Sequence, residues 1–359
     1  MPEKIGLMVG REWSFPPAFI EEVKRRERGL GVEYVKLGTP SLRDPIGYSV
    51  ILDRFSHAVP FYRAYLTHAA ARGVRVVNDP RTWLLADRFS VTSRARDLGI
   101  NVPRTVVLPH REYAEGIVHE ESLRNLDYPL DWGAIAEHVG LPCLLKDAHG
   151  SGDVAHVCHS VEELLEHFNA SGQRLLIAQE IIPWQQYVRC YIVGDEVLPL
   201  KYDPLERKYH VDHAHLSPDL GLRITDESRR LVRGLGLDIN TIDWAIRDGV
   251  PYAVELMNPV PEIDIYTLTP DYFDWVVEKM ADYVIGIATE AAGGVDAKTP
   301  APAEPPAGQM KPVIDTTGRS SKTNSESSQP ASGVRKGEQA SDLAEDLPSP
   351  ARDLPHSDV

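Results

Sequence analysis

The sequence is poor in cysteine and has no long apolar run. Three cysteines occur in 359 residues, at Cys143, Cys158 and Cys190, far apart and without a C-x-x-C pair. This pattern favours neither a disulfide framework nor a thiolate zinc site. The apolar run in the N-terminal "MPEKIGLMVG" is too short for a signal peptide. No later stretch approaches the roughly 20 apolar residues of a membrane span. We therefore expect a cytoplasmic protein with reduced thiols and no membrane partner.

Positive charge and nucleotide-binding glycine motifs are also scarce. Lys and Arg total 38 against 53 Asp and Glu, a formal net charge of -15. A nucleic-acid partner is not expected, because phosphate contacts need clustered basic residues. Neither G-x-x-x-x-G-K-[ST] nor a G-x-G-x-x-G after a strand occurs. An anionic ligand would therefore need a locally basic pocket of another design.

The first 80 residues alternate between strand and helix patterns. "KIGLMVG" and "SVILDRF" are apolar runs of strand length, and "AFIEEVKRRE" has helical spacing. "FYRAYLTHAAARG" predicts a second helix, followed by the buried strand "VRVVN". Strands alternating with helices predict an open α/β sheet that closes near Pro80.

The next hundred residues predict a compact α+β unit. "TWLLADRFSVTSRARDLG" indicates one helix ended by Gly99. "LPCLLKDAHGSGDVAHVCHS" then gives two strands around a glycine turn. Ser160 and Glu163 form an S-x-x-E capping box before "VEELLEHF". "RLLIAQEII" completes the unit as a strand.

The C-terminal part of the ordered chain predicts hairpins, and the end of the chain predicts disorder. "RCYIVGDEVLPLKYD" turns near Gly194, and "DESRRLVRGLG" predicts a helix. From about Ala291 the chain has no aromatic residue and is rich in Ala, Pro, Ser and charged residues. Such a composition predicts a disordered tail, with a partner-docking segment as the alternative.

A pair of carboxylates is expected on the hairpin "NTIDWAIRDGVPYAVELMN". Asp248-Gly249 is a strong hairpin signal. If Ile242, Trp244 and Ile246 share a buried face with Tyr252, Val254 and Leu256, then Asp243 and Glu255 lie side by side on the other face. Adjacent carboxylates repel each other unless a cation neutralises them. With Asn258 they predict an all-oxygen Mg²⁺ site, and a solvated carboxylate face is the alternative.

Two further clusters carry groups suited to phosphate. Lys146 ends an apolar strand directly before a turn with Gly150 and Gly152, where backbone N-H groups can approach a phosphate. Arg189 begins the hairpin after "IAQEII" and could stabilise charge on a transferring group. Surface roles are the alternative for Lys146 and Glu180.

In this order, these segments resemble the ATP-grasp superfamily, particularly its glutathione synthetase-like and D-alanine:D-alanine ligase-like members, over residues 4–287. The resemblance implies an α/β (α+β) chain with the ATP-grasp fold. An N-terminal open α/β pre-ATP-grasp domain (1–85) would precede a small α+β lid subdomain with the glycine loop (86–180). A C-terminal metal-binding subdomain (181–290) and the disordered tail (291–359) would follow.

The resemblance also implies roles for single residues, with ATP and two Mg²⁺ ions as cofactors. The expected catalytic and phosphate-binding cations are Lys146, Arg189 and Arg88. The expected glycine loop and adenine hinge are Gly150, Ser151, Gly152, Gln179, Glu180, Ile181 and Ile182. The expected metal ligands are Asp243, Glu255 and Asn258.

Three positions depart from the superfamily pattern. Arg88 stands where a lysine is usual, which replaces a compact point charge with a planar fork. Two residues separate Glu255 from Asn258, where one is usual, so we predict a bulge or strand end at Leu256-Met257. The acid expected to bind ribose is missing, since "PWQQY" offers only Gln185 and Gln186.

The resemblance implies an ATP-dependent carboxylate-amine ligase that forms an amide or peptide bond through an acylphosphate and releases ADP and phosphate. Its substrates would be a small carboxylate and an amine, with amino acids or peptides among the candidates; a homodimer is left open. Basic groups expected near the acceptor are Arg54, His57, Arg63, Lys201 and Arg207. A kinase acting on a hydroxyl and a nucleotide-binding regulator without turnover are the alternatives.

Overall fold

The computed structural model describes residues 4–26, 29–84, 86–117, 122–149 and 155–293. Its strands are β1 (Lys4–Met8), β2 (Gly31–Tyr34), β3 (Val50–Asp53), β4 (Arg75–Val77), β5 (Thr105–Leu108), β6 (Cys143–Asp147), β7 (Ala155–Cys158), β8 (Leu176–Glu180), β9 (Gln186–Val193), β10 (Glu196–Asp203), β11 (Lys208–His210), β12 (Ile239–Arg247) and β13 (Val250–Glu255). Its helices are α1 (Phe15–Arg25), α2 (Pro60–Ala71), α3 (Pro80–Trp83), α4 (Arg88–Asp97), α5 (Trp132–Val139), α6 (Val161–Asn169), α7 (Pro218–Leu235), α8 (Ile265–Leu268) and α9 (Pro270–Gly293).

The N-terminal sheet is parallel, with strand order β2-β1-β3-β4. All four residues of β3 are buried, as expected for a continuous apolar run in the centre of a parallel sheet. Helices α1 and α2 are the connections that parallel pairing requires. The predicted open α/β sheet is confirmed, and its last strand ends at Val77.

The central sheet is antiparallel, with strand order β5-β8-β6-β7. Helices α5 and α6 contribute Val139, Leu164 and Phe168 to the apolar core on one face of this sheet. The hydroxyl of Ser160 accepts a hydrogen bond from the Glu163 N-H, as the capping box predicts. The Glu163 carboxylate, however, accepts from the His159 N-H.

The C-terminal sheet is a meander-like antiparallel array with order β11-β10-β9-β12-β13. The predicted hairpin turns are confirmed at Gly194 and at Asp248-Gly249, which have φ angles of 58°, 53° and 73°. Helix α7 ends at Gly236, whose φ of 68° gives the left-handed cap that glycine favours. These turns bring Asp243 on β12 beside β13.

One predicted helix is broken in the structure. Residues 82–99 were expected to be continuous, but α3 ends at Trp83 and α4 begins at Arg88. The Asp87 carboxylate accepts from the N-H groups of Phe89 and Ser90, so it caps a new helix instead of continuing an old one. This cap places Arg88 in the first turn of α4.

One apolar core joins segments that lie far apart in the chain, and the predicted domain boundaries stay predictions. Helix α9 buries Val276 and Met280 in one cluster with Phe15 of α1 and Tyr191 of β9. The helix also continues to Gly293, past the expected end of the ordered chain at 290. The rest of the predicted tail lies outside the described residues. Among the described helices, none combines the length and the apolar character needed to cross a membrane.

Candidate active site

A cleft of about 1400 Å³ is lined by strands of the central sheet and of the C-terminal sheet. The predicted residues that line it are His57, Arg63, Arg88, Lys146, Gln179, Glu180, Ile181, Ile182, Arg189, Arg207, Asp243, Glu255 and Asn258. Segments far apart in the chain therefore meet in one cavity.

Two predicted substrate residues lie outside the cleft. The Arg54 guanidinium is buried, paired with Glu12, and donates to the Pro261 carbonyl at 2.6 Å. Lys201 alternates with Tyr202, which lines the cleft, so its side chain lies on the other face of β10 and bonds Asp212 at 3.1 Å. The expected acceptor roles of Arg54 and Lys201 are therefore not supported by their positions. Gly150, Ser151 and Gly152 lie outside the described residues.

Asp243 and Glu255 are direct partners across β12 and β13, as expected. The predicted assignment of the neighbouring residues to the two faces of the hairpin is wrong. Trp244 pairs with Ala253, and both are fully buried, so Tyr252 and Val254 do not share the Trp244 face. The register shifts beside Asp243, which makes Val254 the extra residue of a bulge. That bulge brings Glu255 opposite Asp243.

Strand β13 ends at Glu255, and a buried asparagine shapes the segment beyond it. The Asn240 amide donates to the Leu256 carbonyl at 2.8 Å and accepts from the Asn258 N-H at 2.7 Å. This clamp replaces the ladder hydrogen bonds lost at the strand end. Asn258 thus comes after the predicted strand end and lines the same cleft as the two carboxylates.

Glu255 is shared by two cations. Its two oxygens accept from Lys146 Nζ at 2.6 Å and from Arg88 Nε at 3.3 Å. Burial would raise the pKa of Glu255, but Lys146 and Arg88 outweigh burial and hold that pKa below its ordinary value. Arg88 also donates to the Asp147 carbonyl at 2.7 Å, which ties the first turn of α4 to β6.

Asp243 is held by a bidentate ion pair. Arg189 donates to both of its oxygens, at 2.6 and 2.7 Å, and Tyr187 donates to one of them at 3.0 Å. Burial nevertheless raises the pKa of Asp243 above its ordinary value, and the charge of Glu255 adds to that rise. Burial therefore outweighs the Arg189 ion pair at Asp243, whereas at Glu255 the two cations outweigh burial.

The expected adenine hinge lies at the edge of the cleft. The buried Gln179 side chain donates to the Thr105 hydroxyl at 3.1 Å. The Glu180 carboxylate accepts from Arg104 at 3.0 Å and lies 3.6 Å from Arg247. Burial opposes ionisation of Glu180, yet Arg104 holds its pKa below the ordinary value.

Two tyrosines of the site were not predicted. Tyr187 bonds Asp243, and the Arg189 guanidinium lies 3.8 Å from the centre of the Tyr202 ring. Tyr187 is two residues before Arg189 on β9, so strand alternation places both on one face. That spacing is the signal that could have found Tyr187.

Comparison with known proteins rests on structure alone, since neither a family model nor a curated protein matches this chain. A RimK domain ATP-grasp protein from Sphaerobacter thermophilus has a TM-score of 0.56 and 23% identity, covering 79% of this chain and 100% of that one. D-alanine–D-alanine ligase from Bacillus anthracis, complexed with ATP, has a TM-score of 0.55 and 16% identity, covering 81% and 98%. The ATP-grasp ligase PsnB, complexed with minimal precursor, Mg and ADP, has a TM-score of 0.55 and 16% identity, covering 79% and 98%.

These neighbours are aligned over nearly their whole length, and all three are ATP-grasp proteins or ligases of that fold. The chain therefore has the ATP-grasp fold, which confirms the fold expected from its sequence.

Proposed function

We propose that the protein is an ATP-dependent carboxylate-amine ligase whose reaction takes place in the cleft beside Asp243 and Glu255. The observation that carries the proposal is the pairing of these two carboxylates across β12 and β13, with Lys146, Arg88 and Arg189 bonded to them. A protein gains little stability from such a cluster, because desolvation offsets much of the Coulomb attraction. The cluster is instead well suited to bind a metal-nucleotide complex.

The donors fit Mg²⁺. Asp243, Glu255 and Asn258 offer only hard oxygen ligands, and all three line the same cleft. These three residues would hold the metal, and we propose two ions in total. Bound Mg²⁺ would offset the negative charge of the ATP phosphates. The structural neighbours bound to ATP, or to Mg and ADP, support this assignment.

The nucleotide would lie beside β6 and β8, the two inner strands of the central sheet. Gln179, Glu180, Ile181 and Ile182 line the cleft and would hold adenine, and Lys146 and Arg88 would contact phosphate oxygens. Gly150, Ser151 and Gly152 are proposed to cover the phosphates. Lys146 and Arg88 would then exchange the Glu255 carboxylate for phosphate oxygens, and Glu255 would be free to hold the metal.

In the proposed reaction, a substrate carboxylate oxygen attacks the γ-phosphorus and ADP leaves. The amine then attacks the acyl carbon, loses a proton, and phosphate leaves. Carboxylate and γ-phosphate are both anionic, so the first step needs fixed positive charge where they meet. Lys146, Arg88 and Arg189 supply it, and Tyr187 keeps Asp243 and Arg189 in place through its hydrogen bond to Asp243.

The acceptor would bind on the side of the cleft nearest α2 and the β10–β11 turn. Arg63 and Arg207 line this side, and neither has an ion-pair partner within the described parts of the chain. His57 lies nearby, with its pKa lowered by burial. We propose that these groups recognise a carboxylate or phosphate of the acceptor, an amino acid or a peptide. A PsnB structure complexed with a precursor peptide supports a substrate as large as a peptide.

The test is a panel of amino acids, short peptides and carboxylates incubated with MgATP, with ADP and free phosphate measured separately. A ligase releases ADP and phosphate in equal amounts, and only with a productive substrate pair. ADP without free phosphate would indicate phosphorylation of a hydroxyl. Tight MgATP binding without ADP release across the whole panel would contradict catalysis.

A further inference from the structure

Two of the three cysteines face each other in the central sheet. Cys143 on β6 is the direct register partner of Cys158 on β7. Opposite residues of an antiparallel pair project to the same face, and their Cα atoms lie about 4.5 to 5.5 Å apart. A disulfide needs Cα atoms about 4.4 to 6.8 Å apart. The strand pairing therefore satisfies the Cα spacing that a disulfide requires.

The thiols are also in contact and shielded from water. Both side chains are completely buried, in one apolar cluster with Leu164 and Phe168. Cys158 Sγ donates to the His156 carbonyl at 3.9 Å, and both cysteines are free thiols in this structure. Sequence spacing gave no hint of this, because the hairpin between β6 and β7 brings together residues that look distant along the chain.

Cys190 provides an internal comparison. It is equally buried, but it lies on β9 in a different core, beside Trp244 and Ser228. Within the described residues no other thiol accompanies it. A reaction that requires two adjacent sulfur atoms will therefore distinguish Cys143 and Cys158 from Cys190.

We infer that Cys143 and Cys158 form a reversible cross-strand disulfide when the protein meets a small oxidant such as a hydroperoxide. One thiolate attacks the peroxide oxygen, giving a sulfenic acid and hydroxide, and the second sulfur then displaces water to form the S–S bond. Overall, two thiols lose two hydrogen atoms and hydrogen peroxide becomes two waters. A dithiol reductant reverses the reaction by thiol-disulfide exchange.

The surroundings of the two thiols make this oxidation slow. Burial, together with the charges of Cys143 and Glu163, raises the pKa of Cys158 to about 11. Few thiolates are then present near neutral pH, and a bulky oxidant has no access. The bond would fix the register of β6 against β7. Lys146 lies on β6, the strand that carries Cys143. This inference stands apart from the proposed ligase reaction.

The test uses the full chain, folded, treated with hydrogen peroxide, then unfolded and alkylated. We expect alkylation to fall from three cysteines to one, with a mass loss of two hydrogen atoms that dithiothreitol reverses. Tryptic digestion should give a disulfide-linked pair of peptides, residues 125–146 and 147–174. The Cys190→Ser variant should still form the link, and Cys143→Ser should not.

Other outcomes would overturn the inference. One is oxidation of single cysteines to sulfinic acids without the linked peptides, and another is a link that forms only in denaturant. If Cys143→Ser does not fold, as judged by circular dichroism, Cys158→Ala takes its place. Loss of two alkylatable thiols on oxidation of a folded variant lacking either cysteine would contradict the pairing directly, because the remaining cysteine would then pair elsewhere.

Discussion

Glu255 has two oxygens, and each accepts a hydrogen bond from a different cation of the cleft. The Glu255→Gln substitution removes the charge and keeps the shape. We expect ATP turnover to fall on the order of 100-fold or more, because a positioned charge at the reacting centre is lost. The fold should stay intact, because glutamine keeps the shape of the side chain, which is 40% exposed to the cleft. Phosphate release and a thermal melt on the same sample measure both effects.

Glu33→Gln is the matched control for that substitution. Glu33 pairs with Lys4 on the N-terminal sheet, and its carboxylate is 48% exposed. The Glu33→Gln variant should turn over ATP at the wild-type rate. Unchanged turnover in Glu255→Gln would refute the assigned metal and phosphate site.

Glu180 gives a residue-scale test of pH dependence. Its carboxylate is 17% exposed and is held by Arg104, so its pKa is lower in the folded chain than the ordinary value of 4.5. Its contribution to stability is therefore present above pH 4.5 and is lost as the pH falls through the folded-state pKa. We expect Glu180→Gln to cost about 1.5 kcal/mol of unfolding free energy at neutral pH. Urea unfolding of both proteins at decreasing pH measures the difference.

The wild-type and Glu180→Gln curves should converge as the medium becomes more acidic than the ordinary glutamate pKa. Glu196→Gln is the comparison, because the carboxylate of Glu196 is 59% exposed beside Lys279 and should contribute little. A Glu180→Gln deficit that is constant with pH would mean that packing, not charge, is what the substitution removes.

The positions of single site residues were predictable where a neighbouring strand end or turn determines them. Lys146 at a strand end and Arg189 at a hairpin start both line the cleft, because strand ends position them directly. Arg54 could not be excluded from sequence, since its partner Glu12 lies on another loop and its second acceptor is the Pro261 carbonyl. Long-range pairing of this kind has no local signal.

At the scale of elements, the β12–β13 turn depends on backbone freedom at Gly249, whose φ is 73°. A Cβ added there meets no atom within 4 Å, so any cost of Gly249→Ala comes from the backbone alone. We expect this substitution to lower the free energy of unfolding by about 1 kcal/mol or more. Chemical denaturation measures it.

Gly286 in α9 provides the matched control for the turn. An added Cβ also meets no atom there, but the backbone is helical. Gly286→Ala should therefore stabilise the protein by about 0.5 to 1 kcal/mol, the opposite sign. A loss at both positions would show that side-chain crowding, and not the left-handed turn, governs the effect.

Elements were predicted well where one pattern dominates. The β12–β13 hairpin follows from Asp248-Gly249 between two apolar runs. Its detailed register does not, because alternation alone cannot place the bulge at Val254. The break between α3 and α4 is not predictable for a similar reason: the apolar spacing continues through it, and nothing local distinguishes the capping Asp87 from a residue inside one helix.

At the scale of the whole molecule, the carboxylates and the cations of the cleft are paired with each other. Glu255 satisfies Lys146 and Arg88, and Asp243 satisfies Arg189. ATP alone would take cations and leave the carboxylates uncompensated, and Mg²⁺ alone would leave the cations uncompensated. When both bind, the phosphates pair with the cations and Mg²⁺ pairs with the carboxylates, so no buried charge is left unpaired. Binding of ATP and Mg²⁺ should therefore be strongly synergistic.

The most direct measurement is the shift in melting temperature with ATP, with Mg²⁺, and with both. We expect a small shift in melting temperature with either ligand alone. With both present at about 100 times the dissociation constant, we expect stabilisation by roughly 2.7 kcal/mol. An equal shift with ATP alone, or no shift with both, would contradict a cleft in which metal and phosphate displace the ion pairs of Glu255 and Asp243.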